Sequence, residues 1–399
     1  MNKQDLLAIR KELKIDNTML KVNEIYSVYL KKDEGVVIHS ELDYFENFDS
    51  EKQEIYLKNF KRILSGSLDT KLFELDFLKE DTENLDEDTY KAQSQLCLAV
   101  KEDKDIFIVA ADKVVAKLAE NYKYETDVII TFIRAEYLKG TTSRRKKEAD
   151  IAIDDSTFAF KFMMCSVNKI DPPKKGLQFD FLNMKFKVNS ILDGVVNLTA
   201  PLDGFMFPCF NNNSADISKV MYYCAKPKEI NMSFVNEILG CEFKKTAEDE
   251  KGEFNAILKT LIGETIAPAT MQNIYENLAR KLEESEEEDE ENDSEAIMVS
   301  LKDMKTVFEE SGIDKLEGLE EAYKQVLGET SFDFKVKNIV PDMNTKSMKI
   351  STDSISLAFT PKELRGIRKV KDSQGKLCLL IELTDDVNLE GFELETEDI

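Results

Sequence analysis

The stretch from Ala200 to Lys226, APLDGFMFPCFNNNSADISKVMYYCAK, constrains the fold more than any other part of the sequence. Before this stretch, segments with the apolar–polar alternation typical of strands are mixed with segments of helical pattern. After it, the pattern is largely helical. The stretch holds five aromatic residues, and Gly204 and Pro208 lie among them. Gly204 permits a backbone conformation or a close approach that other residues resist. We therefore expect it to close a sheet and to lead, from Asp216 onward, into a region of four helices that ends near Glu284.

The whole pattern predicts an α+β fold with two domains. A mixed antiparallel-sheet domain is predicted at 1–226, with a helical extension packed on it at 227–282 and a smaller C-terminal α+β domain at 299–384. Between them lies a predicted acidic linker, 283–298, because the run from Glu283 to Glu295 has ten acids and no base. Such a run cannot bury enough apolar area to offset its ordering entropy. An acidic tail is predicted at 385–399.

Composition is that of a globular protein, since 42% of the residues are apolar and 33% are charged. No apolar run reaches the roughly 18 to 20 residues that a membrane-spanning helix needs. The amphipathic start, MNKQDLLAIRKELK, has no apolar stretch typical of a signal peptide. We therefore predict a cytoplasmic protein that does not contact a membrane.

Several familiar chemistries are disfavoured by residue counts and spacing. His39 is the only histidine, which excludes catalytic sites and metal centres built from two or more histidines. The six cysteines form no C-x-x-C pair, and neither a phosphate-binding G-x-x-x-x-G-K-[ST] nor a G-x-G-x-x-G occurs. We predict buried, inert thiols, no cofactor and no metal ion. The net charge of −24 also disfavours general binding of nucleic acid.

The central stretch supplies the first candidate binding site. One interpretation is an aromatic-lined pocket or partner groove, with Asn211 to Ser214 donating hydrogen bonds at the N-terminus of a helix that carries the two tyrosines. The other is a sheet-to-helix corner whose phenylalanines are simply core. The candidate residues are Gly204, Phe205, Phe207, Phe210, Asn211, Asn213, Tyr222 and Tyr223.

A basic cluster is the sharpest exception to the acidic background. Arg144, Arg145, Lys146 and Lys147 are adjacent in a predicted loop, where they are candidates for phosphate binding. The alternative is a solvated loop whose cations pair with neighbouring acids. Together with scattered carboxylates, this loop allows a second hypothesis, a Mg²⁺-dependent phosphodiester hydrolase. Its candidate residues are Asp154, Asp155, Asp180 and Glu242, with Lys244 steadying the attacking water.

The run Gly204-Phe205-Met206-Phe207-Pro208-Cys209-Phe210, followed by Ser214, Asp216 and Tyr222-Tyr223, resembles the central signature of an uncharacterised bacterial family. That family is known as a domain of unknown function and occurs in bacteria and their mobile elements. The similarity runs nearly the full length, the acidic linker included. Asn211-Asn212-Asn213 departs from it, because the resemblance implies a more charged triplet with an arginine. The resemblance implies no activity, ligand or catalytic residue.

The first functional hypothesis is a non-enzymatic binding or adaptor protein that engages a protein partner. It rests on the lack of a recognisable catalytic set and on the acidic, two-domain layout. Nucleic acid is expected as a partner only through the loop at Arg144–Lys147. The family context adds a link to mobile elements or phage defence. The hydrolase is the alternative.

Overall fold

A computed structural model of the chain describes residues 1, 3–32, 35–78, 91–140, 157–172, 176–189, 194–211, 214–288, 297–314, 316–383, 388–389 and 392–393. The chain divides into two compact units, Met1–Lys244 and Lys245–Ile399. Helices and antiparallel strands are mixed in both, so the class is α+β, as predicted. The finer boundaries proposed from the sequence stay predictions. None of the described helices is both long enough and apolar enough to cross a membrane.

The first unit contains most of the strands. Its helices are α1 (Lys3–Glu12), α2 (Ser50–Ile63), α3 (Ala92–Lys101) and α4 (Lys104–Glu120), with a 3-10 turn at Phe45–Asn47 and a π-helical turn at Phe234–Ile238. Its strands are β1 (Leu20–Lys31), β2 (Val36–Tyr44), β3 (Leu72–Asp76), β4 (Val128–Gly140), β5 (Thr157–Asp171), β6 (Gly176–Asp180), β7 (Lys185–Asn189), β8 (Val195–Val196), β9 (Asp203–Phe207), β10 (Cys209–Asn211), β11 (Ser214–Asp216) and β12 (Lys219–Cys224).

One antiparallel sheet organises this unit, in the order β2-β1-β4-β5-β9-β12-β3, with β8 paired to β5. The longest pairing joins β4 to β5, from Val128 opposite Lys169 to Gly140 opposite Thr157. The β-branched and aromatic density of both segments predicted this pair, and the structure confirms it. β6 with β7, and β10 with β11, form separate two-stranded ribbons.

The sheet is covered on both faces, because alternate side chains of each strand enter different cores. Val28 and Phe132 lie in the core shared with α3 and α4. Ile25 and Ile133 lie in the core shared with α1 and α2. Strands in the middle of such a sheet are apolar on both sides and lose the polar-apolar alternation of a half-exposed strand.

The sequence prediction of a helix from Asp216 onward was wrong. Lys219–Cys224 is β12, which lies between β9 and β3 in the sheet, and Tyr222 and Tyr223 are therefore strand residues. Ser214 belongs to the short strand β11 and caps no helix. The segment KVMYYC is buried on both faces, so its pattern lacks the period of two that identifies a strand. The helices of this region begin only at the π-helical turn and α5 (Ala247–Ile262).

The second unit is a helical core with small hairpins. Its helices are α5, α6 (Pro268–Glu288), α7 (Leu301–Glu310), α8 (Leu319–Leu327) and the short α9 (Val336–Ile339), with a 3-10 turn at Pro361–Gly366. Its strands are β13 (Met298–Val299), β14 (Phe334–Lys335), β15 (Met348–Ser351), β16 (Ser356–Phe359), β17 (Ile367–Lys371), β18 (Leu377–Ile381), β19 (Asn388–Leu389) and β20 (Phe392–Glu393).

In the second unit, the sequence predicts a capping box at Ser300 and Asp303, a helix that ends at Gly328 and a hairpin at 372–375, and these predictions are confirmed. Ser300 and Asp303 form the predicted capping box of α7, and Gly328 ends α8 with a φ of 80°. The hairpin across Asp372–Lys376 joins β17 to β18 as expected. The sequence also predicts one strand over 332–340, which is too long, because only Phe334–Lys335 pairs and α9 follows at once.

Candidate partner-binding site

The residues of the central signature lie inside the first unit. Phe205, Phe207, Phe210, Tyr222 and Tyr223 are all buried, on β9, β10 and β12. Three of them, Phe205, Phe207 and Tyr222, belong to the core on the α3–α4 side. The other two belong to the core on the α1–α2 side. The described part of this stretch is thus two-sided core, and none of these five rings is more than 3% exposed.

Gly204 allows α2 to approach the sheet closely. A Cβ atom at this position would lie 2.4 Å from Cδ1 of Ile63 and 2.5 Å from the carbonyl oxygen of Cys165. Both distances are shorter than real side chains tolerate, and the second is to backbone of the neighbouring strand β5. The sequence interpretation of Gly204 as a site of close approach therefore has a specific cause, the packing of Ile63.

A buried carboxylate lies next to this glycine. The Asp203 carboxylate accepts hydrogen bonds from the hydroxyls of Tyr222, at 2.5 Å, and Tyr124, at 2.8 Å, and from the amide of Asn231, at 3.2 Å. No ion pair links it to a described lysine or arginine. Burial raises the pKa of the Asp203 carboxyl, and the three hydrogen bonds oppose that shift.

The Asp203 cluster joins four parts of the chain. Asp203 begins β9, Tyr222 lies on β12, Tyr124 follows α4, and Asn231 precedes the π-helical turn, where its side-chain oxygen accepts from the amide of Phe234. Each polar atom of the carboxylate is used inside the fold. Because the cluster is enclosed, we assign it a structural role.

Other sequence candidates lie partly or wholly outside the described residues. The basic cluster Arg144–Lys147, the carboxylates Asp154 and Asp155, and Asn213 are all in this category. The backbone of Asn211 ends β10, opposite Ser214 of β11.

Two described residues of the hydrolase hypothesis, Asp180 and Lys244, are engaged elsewhere, and Glu242 is exposed. Asp180 accepts from Asn183 and Lys187 within the β6–β7 hairpin, and Lys244 pairs with Asp76 at 2.9 Å. Among the described residues, no group of three or more His, Cys, Asp or Glu side chains is placed to hold a metal ion. The sequence predicts that His39 follows a strand at 36–38 and precedes an acidic turn, whereas it lies within β2.

Most of the cysteines are core residues. Four of the six thiols are buried, at Cys165, Cys209, Cys224 and Cys241, which confirms the prediction for those four. Burial raises the pKa of each, to about 12 for Cys209 and Cys241. A raised pKa keeps a thiol protonated and unreactive near neutral pH.

A different surface, the β6–β7 hairpin, presents apolar side chains to solvent. The strands pair from Gly176 opposite Asn189 to Asp180 opposite Lys185. Phe179 lies opposite Phe186, with ring centroids 5.2 Å apart and planes at 66°. Phe181 adds a second edge-to-face contact with Phe179 at 5.1 Å. These rings cover one another, and among the described strands β6 and β7 pair only with each other.

The tip of the hairpin is more apolar than a turn usually is. Phe181 is 81% exposed, Leu182 is 95% exposed and Met184 is 73% exposed. Met184 has a φ of 49°, in the left-handed region that glycine and asparagine occupy more readily. A large apolar residue in that conformation, with its side chain in water, makes the tip a candidate binding surface.

Asp180 fixes the conformation of this tip. Its carboxylate accepts from the backbone amides of Leu182 and Asn183, from the Asn183 side chain and from the Lys187 ammonium. The Asn183 side chain, followed by Lys187, lowers the pKa of the Asp180 carboxyl, so the group is ionised at neutral pH. The hairpin tip is thus pre-organised, with Phe181, Leu182 and Met184 projecting from it.

Sequence reasoning located these two strands and their junction at Asn183 but did not identify a binding surface. The available signal was the run Phe179-Asp180-Phe181-Leu182-Asn183-Met184-Lys185-Phe186, in which apolar residues continue through the turn. Turns in hairpins are ordinarily glycine-rich or polar.

Comparison with known families shows what the chain belongs to. The family model described as Domain of unknown function (DUF4317) matches residues 1–392. The chain is therefore a member of that family, in agreement with the resemblance in the central signature. No curated protein and no solved structure matches the chain.

Proposed function

We propose that this chain is a non-enzymatic binding protein that engages a protein partner through the tip of the β6–β7 hairpin. The observation that carries the proposal is the exposure of Phe181, Leu182 and Met184 on a ribbon that pairs with no other described strand. An isolated two-stranded hairpin is only marginally stable in water. A partner that covers its apolar side would stabilise the hairpin as well as the complex.

The shape and chemistry of the tip favour a protein groove as the receptor. The tip is convex, so its side chains are buried only by a concave apolar surface. Complete burial of each of the three side chains contributes about 1.5–3 kcal/mol. Large apolar residues at the centre of an interface commonly dominate its affinity.

A lipid bilayer is a poorer match. Asp180 is ionised and lies next to Phe181 and Leu182, so insertion of the tip would bring a carboxylate toward hydrocarbon, which is strongly unfavourable. The net charge of −24 adds repulsion from anionic lipid surfaces.

A tip variant tests the proposal. Phe181→Ser, Leu182→Ser and Met184→Asn together remove the apolar surface, and asparagine suits the left-handed backbone at position 184. A partner captured by the full chain is identified, purified and titrated against both proteins. We expect saturable binding by the natural chain and a loss of at least about 100-fold in affinity for the variant.

The matched control is a full chain with Val109→Ser and Ile355→Ser, which removes exposed apolar side chains elsewhere. It should bind as the natural chain does. Unchanged binding by the tip variant would overturn the proposal. So would tip-dependent binding to neutral phosphatidylcholine vesicles or tip-dependent dimers, because each identifies a different occupant.

The remaining predictions belong to the same proposal. We place this adaptor in the cytoplasm and expect it to need no cofactor. The family resemblance suggests a link to mobile elements or phage defence, so a partner is sought there first. Nothing in the described residues favours the hydrolase hypothesis over this one.

A further inference from the structure

Strand β2, at one end of the main sheet, offers a second surface. β2 is the terminal strand of the sheet and pairs only with β1 among the described strands. Every residue from Val36 to Glu41 is exposed. An open edge strand of this kind carries unpaired backbone groups that can form hydrogen bonds with an added strand.

A cleft lies beside this edge. In the register of β1 with β2, His39 is opposite Tyr29, Glu41 is opposite Ser27 and Asp43 is opposite Ile25. The side chains of these residues therefore share one face of the sheet. Phe48, Lys52 and Tyr56, on the segment that follows β2, close the far side of the cleft.

The cleft already accommodates an ammonium group. Lys52 Nζ lies 3.7 Å from the centroid of the Phe48 ring and 3.7 Å from a carboxylate oxygen of Asp43. Phe48 and Tyr56 stack with centroids 5.7 Å apart and planes at 21°. Among the described residues, the ion-pair partner of Glu41 is the exposed His39 imidazole, at 3.8 Å. A second cation would therefore find a carboxylate and an aromatic wall.

We propose that the β2 edge binds an extended peptide segment that carries basic residues at alternate positions. The backbone of the segment would pair with β2, and its lysine or arginine side chains would enter the cleft toward Glu41 and Tyr56. In strand addition of this kind, main-chain hydrogen bonds supply affinity, and pockets for alternate side chains supply specificity.

The edge also discriminates against other strands. A register shift between Tyr29 and Leu30 marks a bulge at the start of β2, and charged residues follow it. Bulges and charges on an edge oppose indiscriminate pairing. A second copy of this chain is a poorer match than a basic segment, because two chains of charge −24 repel one another.

The test uses the full chain and a fluorescein-labelled ten-residue peptide alternating lysine and valine, followed by fluorescence anisotropy. Glu41→Gln with Asp43→Asn should weaken binding about tenfold. The matched control, Glu309→Gln with Glu310→Gln on the exposed side of α7, removes the same charge elsewhere and should leave the affinity unchanged. The saturating peptide should also slow hydrogen exchange of the β2 amides.

Three results would overturn the inference: equal affinities for the two double variants, unchanged exchange in β2, or equal binding of an alternating glutamate–valine peptide. A dimer of the natural chain that the Glu41→Gln, Asp43→Asn variant cannot form would assign the edge to a second copy instead. The hairpin-tip variant should bind the peptide normally, so failure here is distinguishable from failure of the proposed function.

Discussion

Replacing Asp203 with alanine is expected to lower the free energy of unfolding of the first unit by about 4 kcal/mol. The change leaves the hydroxyls of Tyr222 and Tyr124 and the amide of Asn231 without their acceptor. Each unsatisfied buried donor costs about 1–3 kcal/mol, and the space left by the carboxylate adds to that. Urea unfolding followed by far-ultraviolet circular dichroism measures the loss, since the chain has no tryptophan.

Tyr222→Phe should cost less than Asp203→Ala, because the carboxylate retains two donors. The exposed Glu125→Gln change serves as the control and should stay within about 0.5 kcal/mol of the natural chain. Equal stability of the Asp203→Ala variant and the control would show that the cluster does not hold the unit together.

The Asp203 carboxyl also makes the free energy of unfolding depend on pH, and the direction of its pKa shift fixes the sign. Burial raises the pKa of Asp203 above its ordinary value of 3.8, so the folded chain binds this proton more tightly than the unfolded chain. The resulting contribution to stability is fully present below pH 3.8 and is lost as pH rises through the folded-state pKa. The stability of the natural chain relative to Asp203→Asn should therefore fall as the pH rises above 3.8. A difference that rises with pH would contradict this assignment.

Gly204→Ala is expected to destabilise the first unit by about 3 kcal/mol, at the upper end for overpacking. The added methyl would overlap Ile63 and the Cys165 carbonyl, and the carbonyl belongs to a strand that cannot move without disturbing the sheet. Thermal and urea unfolding of the full chain measure this effect. The double change Gly204→Ala with Ile63→Val should recover only part of the loss, because the contact with the Cys165 carbonyl remains.

Gly252→Ala is the matched control for Gly204. Gly252 lies within α5, and a Cβ there would meet no atom within 4 Å. Alanine in an exposed helix interior is more favourable than glycine by up to about 1 kcal/mol, so this variant should be slightly stabilised. If alanine changed the free energy of unfolding equally at both positions, the close approach of α2 would not explain why position 204 requires glycine.

Elements with a strong local pattern were predictable from the sequence. α1 places Leu6 and Ile9 on its buried face, and Leu13, just after it, is buried as well. The β-branched and aromatic residues of β4 and β5 identify both as strands. Helix α2 was also located, although its N-cap is Asp49 and not Ser50. These elements owe their identity to residues near in sequence, which a pattern can reveal.

Elements defined by distant partners were not predictable. The sequence pattern placed β12 in a helix. Tyr222 and Tyr223 are both buried, one in each core, so the segment lacks the apolar–polar alternation that would identify a strand. The role of Asp203 likewise depends on Tyr124 and Asn231, 79 and 28 residues away. Gly204 was recognised as a point of close approach, but only the structure identifies Ile63 as its neighbour.

The binding surface illustrates the same limit. Phe205 and Phe181 are the same residue type in similar aromatic surroundings, yet one is fully buried and the other is 81% exposed. Aromatic content alone does not separate a core strand from an exposed hairpin. The distinguishing feature is the turn itself, where Leu182 and Met184 replace the polar residues expected there.

Site-specific photo-crosslinking of the full chain in its native cell tests the central claim most directly. Benzoylphenylalanine is introduced at position 182 on the hairpin tip and, as a control, at the exposed position 109 of α4. Binding through the hairpin predicts an adduct with one protein from position 182 only, which disappears when Phe181→Ser is added. Lipid adducts, no adduct, or the same adducts from both positions would contradict a protein partner at the hairpin tip.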